Sequence, residues 1–352
     1  MASSAEIADY YRSYGESSFS ADQPIYAEIC ERLSEVPELI DLLSAHEPEA
    51  RQPNLLFAAV HYLLLGGLDH PLGEVYAGSG ADAIDAFADV ILSHRGEIDE
   101  LLRTRRTQTN EVGRAAVLAL MLADAQQRSG QELAWIDLGA SGGLNLQVDQ
   151  FRIDYIAVDD VLTTGPEDAA VRLDCQLRGR APAVAPTHAS IQWRIGVDQT
   201  PIDVGDPEQA RWLHACVWPT QHQRHRRLAA AIEAANRTPP TLIEDDAASG
   251  LALAIEKAPV DTALVVTTTW VWYYLPEPTR IAVLDLLRSS GRPIWWYSLE
   301  GRGVVTELQQ SSERQLSESH VGRIEFRDGE IAGFAVLGVS HPHGAWLDWG
   351  HA

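Results

Sequence analysis

The pattern of apolar and polar positions changes character near residue 130. Before it, apolar residues recur three and four apart: Ile25, Ile29 and Leu33; Leu39, Leu42 and Leu43; Leu55, Leu56, Ala59, Val60, Leu63 and Leu64; Ile84, Phe87, Val90 and Ile91; Val112, Ala116 and Leu120. That spacing lines one face of a helix, and no two-residue alternation competes with it. Pro37, Pro48, Pro53, Gly66-Gly67 and Pro71 interrupt it, proline because it lacks an amide hydrogen and glycine because it is costly to order. The pattern predicts an all-helical region over residues 1–130, with five or so helices. The last should begin within Thr107-Gln-Thr-Asn-Glu111, where threonine and asparagine can cap free amides.

From residue 131 short apolar runs alternate with helical stretches. Trp135, Ile136 and Leu138 form a run too short for an independent helix and read as a buried strand. It stops at Gly139-Ala-Ser-Gly-Gly143 and is followed by the helical-looking Leu144-Asn-Leu-Gln-Val148. Phe151-Arg-Ile-Asp-Tyr155 and Val171-Arg-Leu-Asp-Cys-Gln-Leu177 read as an inserted hairpin within residues 150–190, closed by Ala181-Pro-Ala-Val-Ala-Pro186. A second strand, Trp193-Arg-Ile-Gly-Val-Asp198, precedes one long helical stretch over residues 207–236. Thr241-Leu-Ile-Glu-Asp-Asp-Ala247, Ala263-Leu-Val-Val-Thr-Thr-Thr269 and Pro293-Ile-Trp-Trp-Tyr-Ser298 supply three more strands, with a helix from Thr279 to Arg288. The chain closes in a hairpin, Arg323 to Leu337, turning at Asp328-Gly329. Such alternation predicts an α/β fold, a mostly parallel sheet with an antiparallel edge hairpin over residues 131–352, with the helical region 1–130 packed around one cleft.

Composition narrows the function classes. The 352 residues are 45% hydrophobic and 22% charged, ordinary for a globular protein. No run of roughly 18 apolar residues suggests a membrane span. Met-Ala-Ser-Ser-Ala-Glu-Ile-Ala-Asp9 lacks the basic start and apolar stretch of a secretory signal. Cys30, Cys175 and Cys216 are scattered without a close pair, so a reducing, cytoplasmic setting is expected. A net charge of −23 repels a phosphate backbone. The short basic runs Arg103-Thr-Arg-Arg106 and Arg224-His-Arg-Arg227 read as solvated helix faces. The expected partner is therefore a small molecule, neither nucleic acid nor membrane, and oligomeric state has no signal in the chain.

Candidate chemistry lies at strand ends. In open parallel sheets ligands bind beyond the carboxyl ends of the strands, where strand order reverses. Asp137 precedes the glycine turn, Asp198 ends the second strand, and Asp246 with Ala247 ends the third. The succession Asp137-x-Gly139-x-Ser141-x-Gly143, Gly196-Val-Asp198-x-x-Pro and Asp245-Asp246-Ala247 resembles the motifs of class I S-adenosylmethionine-dependent methyltransferases, whose sheet is Rossmann-like. The resemblance implies that Gly139, Ala140, Ser141, Gly143 and Asn145 line the methionine part of that cofactor. Asp198 would hold its ribose, and Asp246 with Ala247 its adenine. Two departures stand out. Ser141 replaces a glycine, and the interval from Gly139 to Asp198 far exceeds the roughly 20 residues of a simple unit, an excess the inserted segment absorbs. Over its whole length the chain resembles the bacterial family known as domain of unknown function 2332. Pro53-Asn-Leu-Leu56, His61-Tyr62, Arg105-Arg-Thr-Gln-Thr-Asn-Glu-Val-Gly-Arg114 and Gly139-Ala-Ser-Gly-Gly-Leu-Asn-Leu146 carry that likeness.

The expected activity is methyl transfer from S-adenosylmethionine to a small-molecule acceptor. His61, Glu300 and Tyr273 are the catalytic candidates, and Gln108, Asn110, Glu111, Arg114 and Trp270 the substrate-binding ones. Histidine titrates near neutrality, Glu300 follows the fifth strand, and aromatic faces attract a sulfonium cation. A non-catalytic S-adenosylmethionine-binding protein is the main alternative. Gly139-Ala-Ser-Gly-Gly143 also fits the nucleophile elbow of a serine hydrolase, with Asp246 or Glu300 and His341 or His343 as partners of Ser141. A metal site at His341, His343 and Asp348, or at His214, Cys216, His222 and His225, lacks the spacing of known zinc sites. G-x-G-x-x-G is missing, which disfavours a dinucleotide oxidoreductase.

Overall fold

The computed structural model describes residues 3–19, 23–78, 80, 82–179, 189–308 and 315–350. Its helices are α1 (Ser4–Ser18), α2 (Pro24–Arg32), α3 (Pro37–Ser44), α4 (Pro53–Leu65), α5 (Leu72–Tyr76), α6 (Ala83–Ser93), α7 (Arg95–Thr104), α8 (Ala115–Ser129), α9 (Pro207–Ala215), α10 (His222–Arg237), α11 (Ala247–Lys257) and α12 (Glu277–Ser289). The strands are β1 (Leu133–Leu138), β2 (Arg152–Ile156), β3 (Val161–Thr164), β4 (Arg172–Leu177), β5 (Ile191–Asp198), β6 (Leu242–Glu244), β7 (Ala263–Thr269), β8 (Ile294–Arg302), β9 (Gln315–Arg327), β10 (Glu330–Ser340) and β11 (Trp346–Trp349). The chain divides into two units, Met1–Thr109 with Asp206–His225, and Asn110–Gly205 with Arg226–Ala352.

The first unit is helical, as the apolar spacing requires, but its helices are shorter and more numerous than expected. Pro37 and Pro53, read as breaks, are instead the first residues of α3 and α4, and Pro24 likewise opens α2. Proline suits that position because its missing amide has no intrahelical partner there. The core stacks Tyr26 on Phe57 at 3.9 Å and sets Phe19 and Phe87 against the same ring. The stretch 207–236 is two helices rather than one, broken around Pro219, and α9 packs on α4 with Trp212 and Ala215 in this core.

The second unit is built on an eleven-stranded mixed sheet in the order β3-β2-β4-β11-β10-β9-β8-β7-β1-β5-β6. Strands β6, β5, β1, β7 and β8 run parallel. Counted along the chain they are the third, second, first, fourth and fifth of the set, so succession reverses between β1 and β7. Ala134, Ile136 and Leu138 of β1 join Leu251 and Ala254 of α11 and Val283 and Leu287 of α12 in one core. Trp135 and Asp137 point to the opposite face, where α8 crosses β1 and β7.

Several sequence expectations need correcting here. The Asp328-Gly329 turn forms, with φ of 51° and 83°, but its hairpin is not a sheet edge. β11 pairs with β10 and carries the sheet on to β4, β2 and β3. The segment within 150–190 is accordingly three strands of the main sheet rather than a separate hairpin, and residues 181–186 lie outside the described residues. The helical-looking stretch after the glycine turn is a 3-10 helix, Leu144–Gln150. α8 starts later than expected, after a 3-10 turn at Val112–Arg114 that is capped by the Glu111 carboxylate rather than by threonine or asparagine. Among the described residues no helix is long and apolar enough to cross a membrane.

Candidate functional site

A buried polar cluster of the second unit lies at the carboxyl ends of β1 and β7. Asp137 is 3% exposed, and its Oδ1 accepts from the Thr267 hydroxyl at 2.6 Å. Thr267 Oγ1 in turn accepts from the Trp135 indole at 2.8 Å, a short relay across the β1–β7 pair. Burial pushes the Asp137 carboxyl up to about 7, against the lowering effect of the Thr267 bond. After Leu138 the chain turns sharply, with Gly139 at φ 73°, Ser141 at φ 53° and Gly143 at φ 68°. Serine rarely adopts such a backbone. It is held there because its N–H donates to Asp198 Oδ2 at 2.8 Å, while the Gly139 and Ala140 amides donate to the Val197 carbonyl.

The glycines are there for close packing of the chain. A Cβ at Gly139 would stand 2.1 Å from a Val271 methyl, and one at Gly143 would stand 2.8 Å from Pro240. Asp198 Oδ1 also accepts from the Thr200 amide at 2.9 Å, so each carboxylate oxygen takes one backbone donor. Asp246 caps α11, its Oδ1 accepting from the amides of Ala248 and Ser249, with Ala247 as the first helical residue. Those bonds hold the Asp246 carboxyl below the usual range, the Ser249 side chain contributing most.

Residues 110–114 are tied to this loop. Asn110 Oδ1 accepts from the Leu144 amide at 3.1 Å, and Asn145 Nδ2 donates to the Glu111 carbonyl at 3.2 Å. Glu111 Oε1 accepts from the Gly113 amide. Arg114 donates to the carbonyls of Pro342 and Thr269, which links the turn before β11 to the end of β7. Glu300, 1% exposed, accepts at Oε1 from the amides of Val271 and Trp272, both at 2.8 Å. Burial raises its carboxyl to about 7. Ser141 Oγ, Asn145 Oδ1 and Glu300 Oε2 are buried and make no hydrogen bond.

The aromatic run after β7 divides by depth. Trp270 is half-buried at φ 58°, its indole N–H donating to Ser319 Oγ at 2.7 Å, whereas Trp272 is core, packed on Trp296. Tyr273 is half-buried and Tyr274 is 71% exposed. Sequence reading missed Thr267, Thr269 and the Pro342 turn. The only local signal was a threonine run closing an apolar strand, and the Arg114–Pro342 contact joins residues with no sequence relation.

His61 and Gln108 belong to the first unit. His61 is buried on α4, its Nδ1 donating to the Ala215 carbonyl at 3.2 Å, and burial lowers its pKa to about 4. The His225 ring stands beside it at 5.6 Å and stacks on His214 at 5.5 Å. Among the described residues no three His, Cys, Asp or Glu side chains are placed to hold a metal ion.

Fold and site together define a mixed α/β protein with a helical N-terminal part and a buried polar cluster at the end of a parallel strand pair. The chain belongs to the family described as "uncharacterized protein conserved in bacteria (DUF2332)", which matches residues 8–349. No curated protein matches it.

Proposed function

We propose that the chain binds S-adenosylmethionine at the carboxyl ends of β1 and β5 and transfers its methyl group to a small-molecule acceptor. The order of the five parallel strands is that of doubly wound, Rossmann-like sheets, in which ligands sit where succession reverses. One observation carries the reading. The Asp198 carboxylate, ending the second parallel strand, meets the backbone of the small-residue turn that ends the first. Each of its oxygens keeps a lone pair beyond the backbone amide it already accepts, enough for two ribose hydroxyls.

The residues present fit such a group through their polar atoms rather than through the glycines. Gly139 and Gly143 face protein side chains, so the ligand contacts fall to Ser141, Asn145 and Asp198. The first two of these carry buried oxygens without partners. An unmatched buried polar atom is costly, and a ligand donor would relieve that cost. Bound there, the cofactor supplies a methyl group activated by a sulfonium centre. The protein's part is alignment and proton handling. Trp270 and Tyr273 offer aromatic faces near the end of β7, and Arg114 offers positive charge to a carboxylate. Glu300, whose buried carboxyl is raised to about 7, would hold the proton that an acceptor gives up.

Calorimetric titration with S-adenosylmethionine and S-adenosylhomocysteine tests the proposal. Wild type should bind both, and Asp198→Ala should weaken binding by about tenfold or more, the size of one lost charged hydrogen bond. No binding by wild type would end the reading. Methyl transfer from labelled cofactor into metabolite extracts separates an enzyme from a pure binder. Ser141→Ala separates both from a hydrolase, which would lose all activity while still binding cofactor. Ser141 Oγ, making no hydrogen bond, lacks the histidine contact a hydrolytic triad uses.

A further inference from the structure

In a chain of charge −23, two arginines of the first unit lie on one pair of packed aromatic rings, Arg105 on Trp212 and Arg211 on Tyr62. The Trp212 indole on α9 donates to the Arg106 carbonyl at 2.9 Å. The Arg105 guanidinium carbon stands 5.5 Å from the centroid of the same ring. Tyr62 of α4 packs edge-on against Trp212 at 5.7 Å. Over the Tyr62 ring, at 4.1 Å, lies the Arg211 guanidinium, which donates to the tyrosine hydroxyl at 2.6 Å. Gly66, just after α4, leaves room for it, because a Cβ there would stand 2.8 Å from Arg211 Nη1.

Arg103 pairs with Glu100, and the exposed Arg106 donates to the Arg105 carbonyl, but among the described residues neither Arg105 nor Arg211 forms an ion pair with a carboxylate. The acid that acts on Arg105 is Asp206, and its oxygens are committed to the Glu208 amide and the Gln209 side chain at the start of α9. Arg211 Nε is buried without a hydrogen-bond partner. Half-buried guanidinium groups left unpaired in an acid-rich chain are costly unless something anionic completes them. An aromatic face beside each guanidinium limits its motion, and a guanidinium is a planar fork of N–H donors that matches an oxyanion.

We propose that Arg105 and Arg211, braced by Trp212 and Tyr62, bind the phosphate group of a small phosphorylated molecule. A polyanion is disfavoured because repulsion from the net charge grows with every added phosphate, whereas one phosphate group meets mainly the local positive field. The proposal is independent of the cofactor reading, since every residue in it lies in the first unit.

The test is calorimetric titration and thermal unfolding of the full chain in sodium phosphate against sodium chloride at matched ionic strength. Phosphate should bind one site and raise the melting temperature beyond chloride. Arg105→Gln and Arg211→Gln should each weaken it by about tenfold, with far-ultraviolet circular dichroism unchanged. If a Gln variant fails to fold, the Lys variant at that position decides: it keeps charge, loses the fork and should still bind several-fold more weakly. Equal effects of phosphate and chloride, or undiminished binding by the variants, would overturn the site. So would binding of a single-stranded oligonucleotide without binding of phosphate.

Discussion

At the scale of single residues, burial decides the chemistry. His61 is 5% exposed, neutral, and held at Nδ1 by a backbone carbonyl, with its pKa lowered to about 4 by burial first and by the neighbouring His225 second. A folded-state value below the unfolded one means the unfolded chain binds the extra proton first. The associated stability is present above about 6.5 and is lost as pH falls towards 4, on the order of 2–3 kcal/mol for this group. Asp137 and Glu300 act with the opposite sign. Their carboxyls are raised to about 7, so their contribution is present in acid and lost as pH rises through 7. A variant comparison isolates the histidine. Between pH 7.5 and 4.5 wild type should lose more melting temperature than His61→Gln, and parallel profiles would contradict the assignment. Asp137 was legible as a strand-end acid, yet its raised proton affinity was not, because that comes from burial between β1, β7 and the helix packed over them, which only the assembled sheet supplies.

Among the secondary-structure elements, the turn after β1 matters most. It was readable from Gly139-Ala-Ser-Gly-Gly143 as a sharp turn at a strand end. The sequence suggested glycines kept small for a ligand, whereas Gly139 is kept small for Val271, a residue 132 positions away in the chain. Gly139→Ala should destabilise the protein by about 2–4 kcal/mol, combining left-handed backbone strain with overpacking. Adding Val271→Ala should return the packing share and leave the strain. Denaturant unfolding of the two single variants and the double variant reads this as a coupling between the sites, and simple additivity would refute the contact. Helix boundaries were less legible for a similar reason. A proline marks an end and a beginning equally well, so Pro37 and Pro53 looked like stops although they open α3 and α4.

For the molecule as a whole, charge and topology set the behaviour. With 50 acidic against 27 basic residues the folded chain repels itself. Raising sodium chloride from 10 to about 150 mM should therefore raise the melting temperature, as the screening length shortens to about 8 Å. A falling or flat profile would show that favourable ion pairs dominate instead. By itself the sequence determined the helical first part, the parallel strand run, the Asp328-Gly329 turn and the strand-end acids. These are written in local periodicity and in residues whose backbone preferences act within a few positions. Only the tertiary structure decided that the sheet runs on past the hairpin through β11 to eleven strands, that Asp198 closes on Ser141, and that Arg105 and Arg211 share one aromatic pair. Those outcomes depend on contacts between residues far apart in the chain, and local pattern carries no information about which distant partner burial will select.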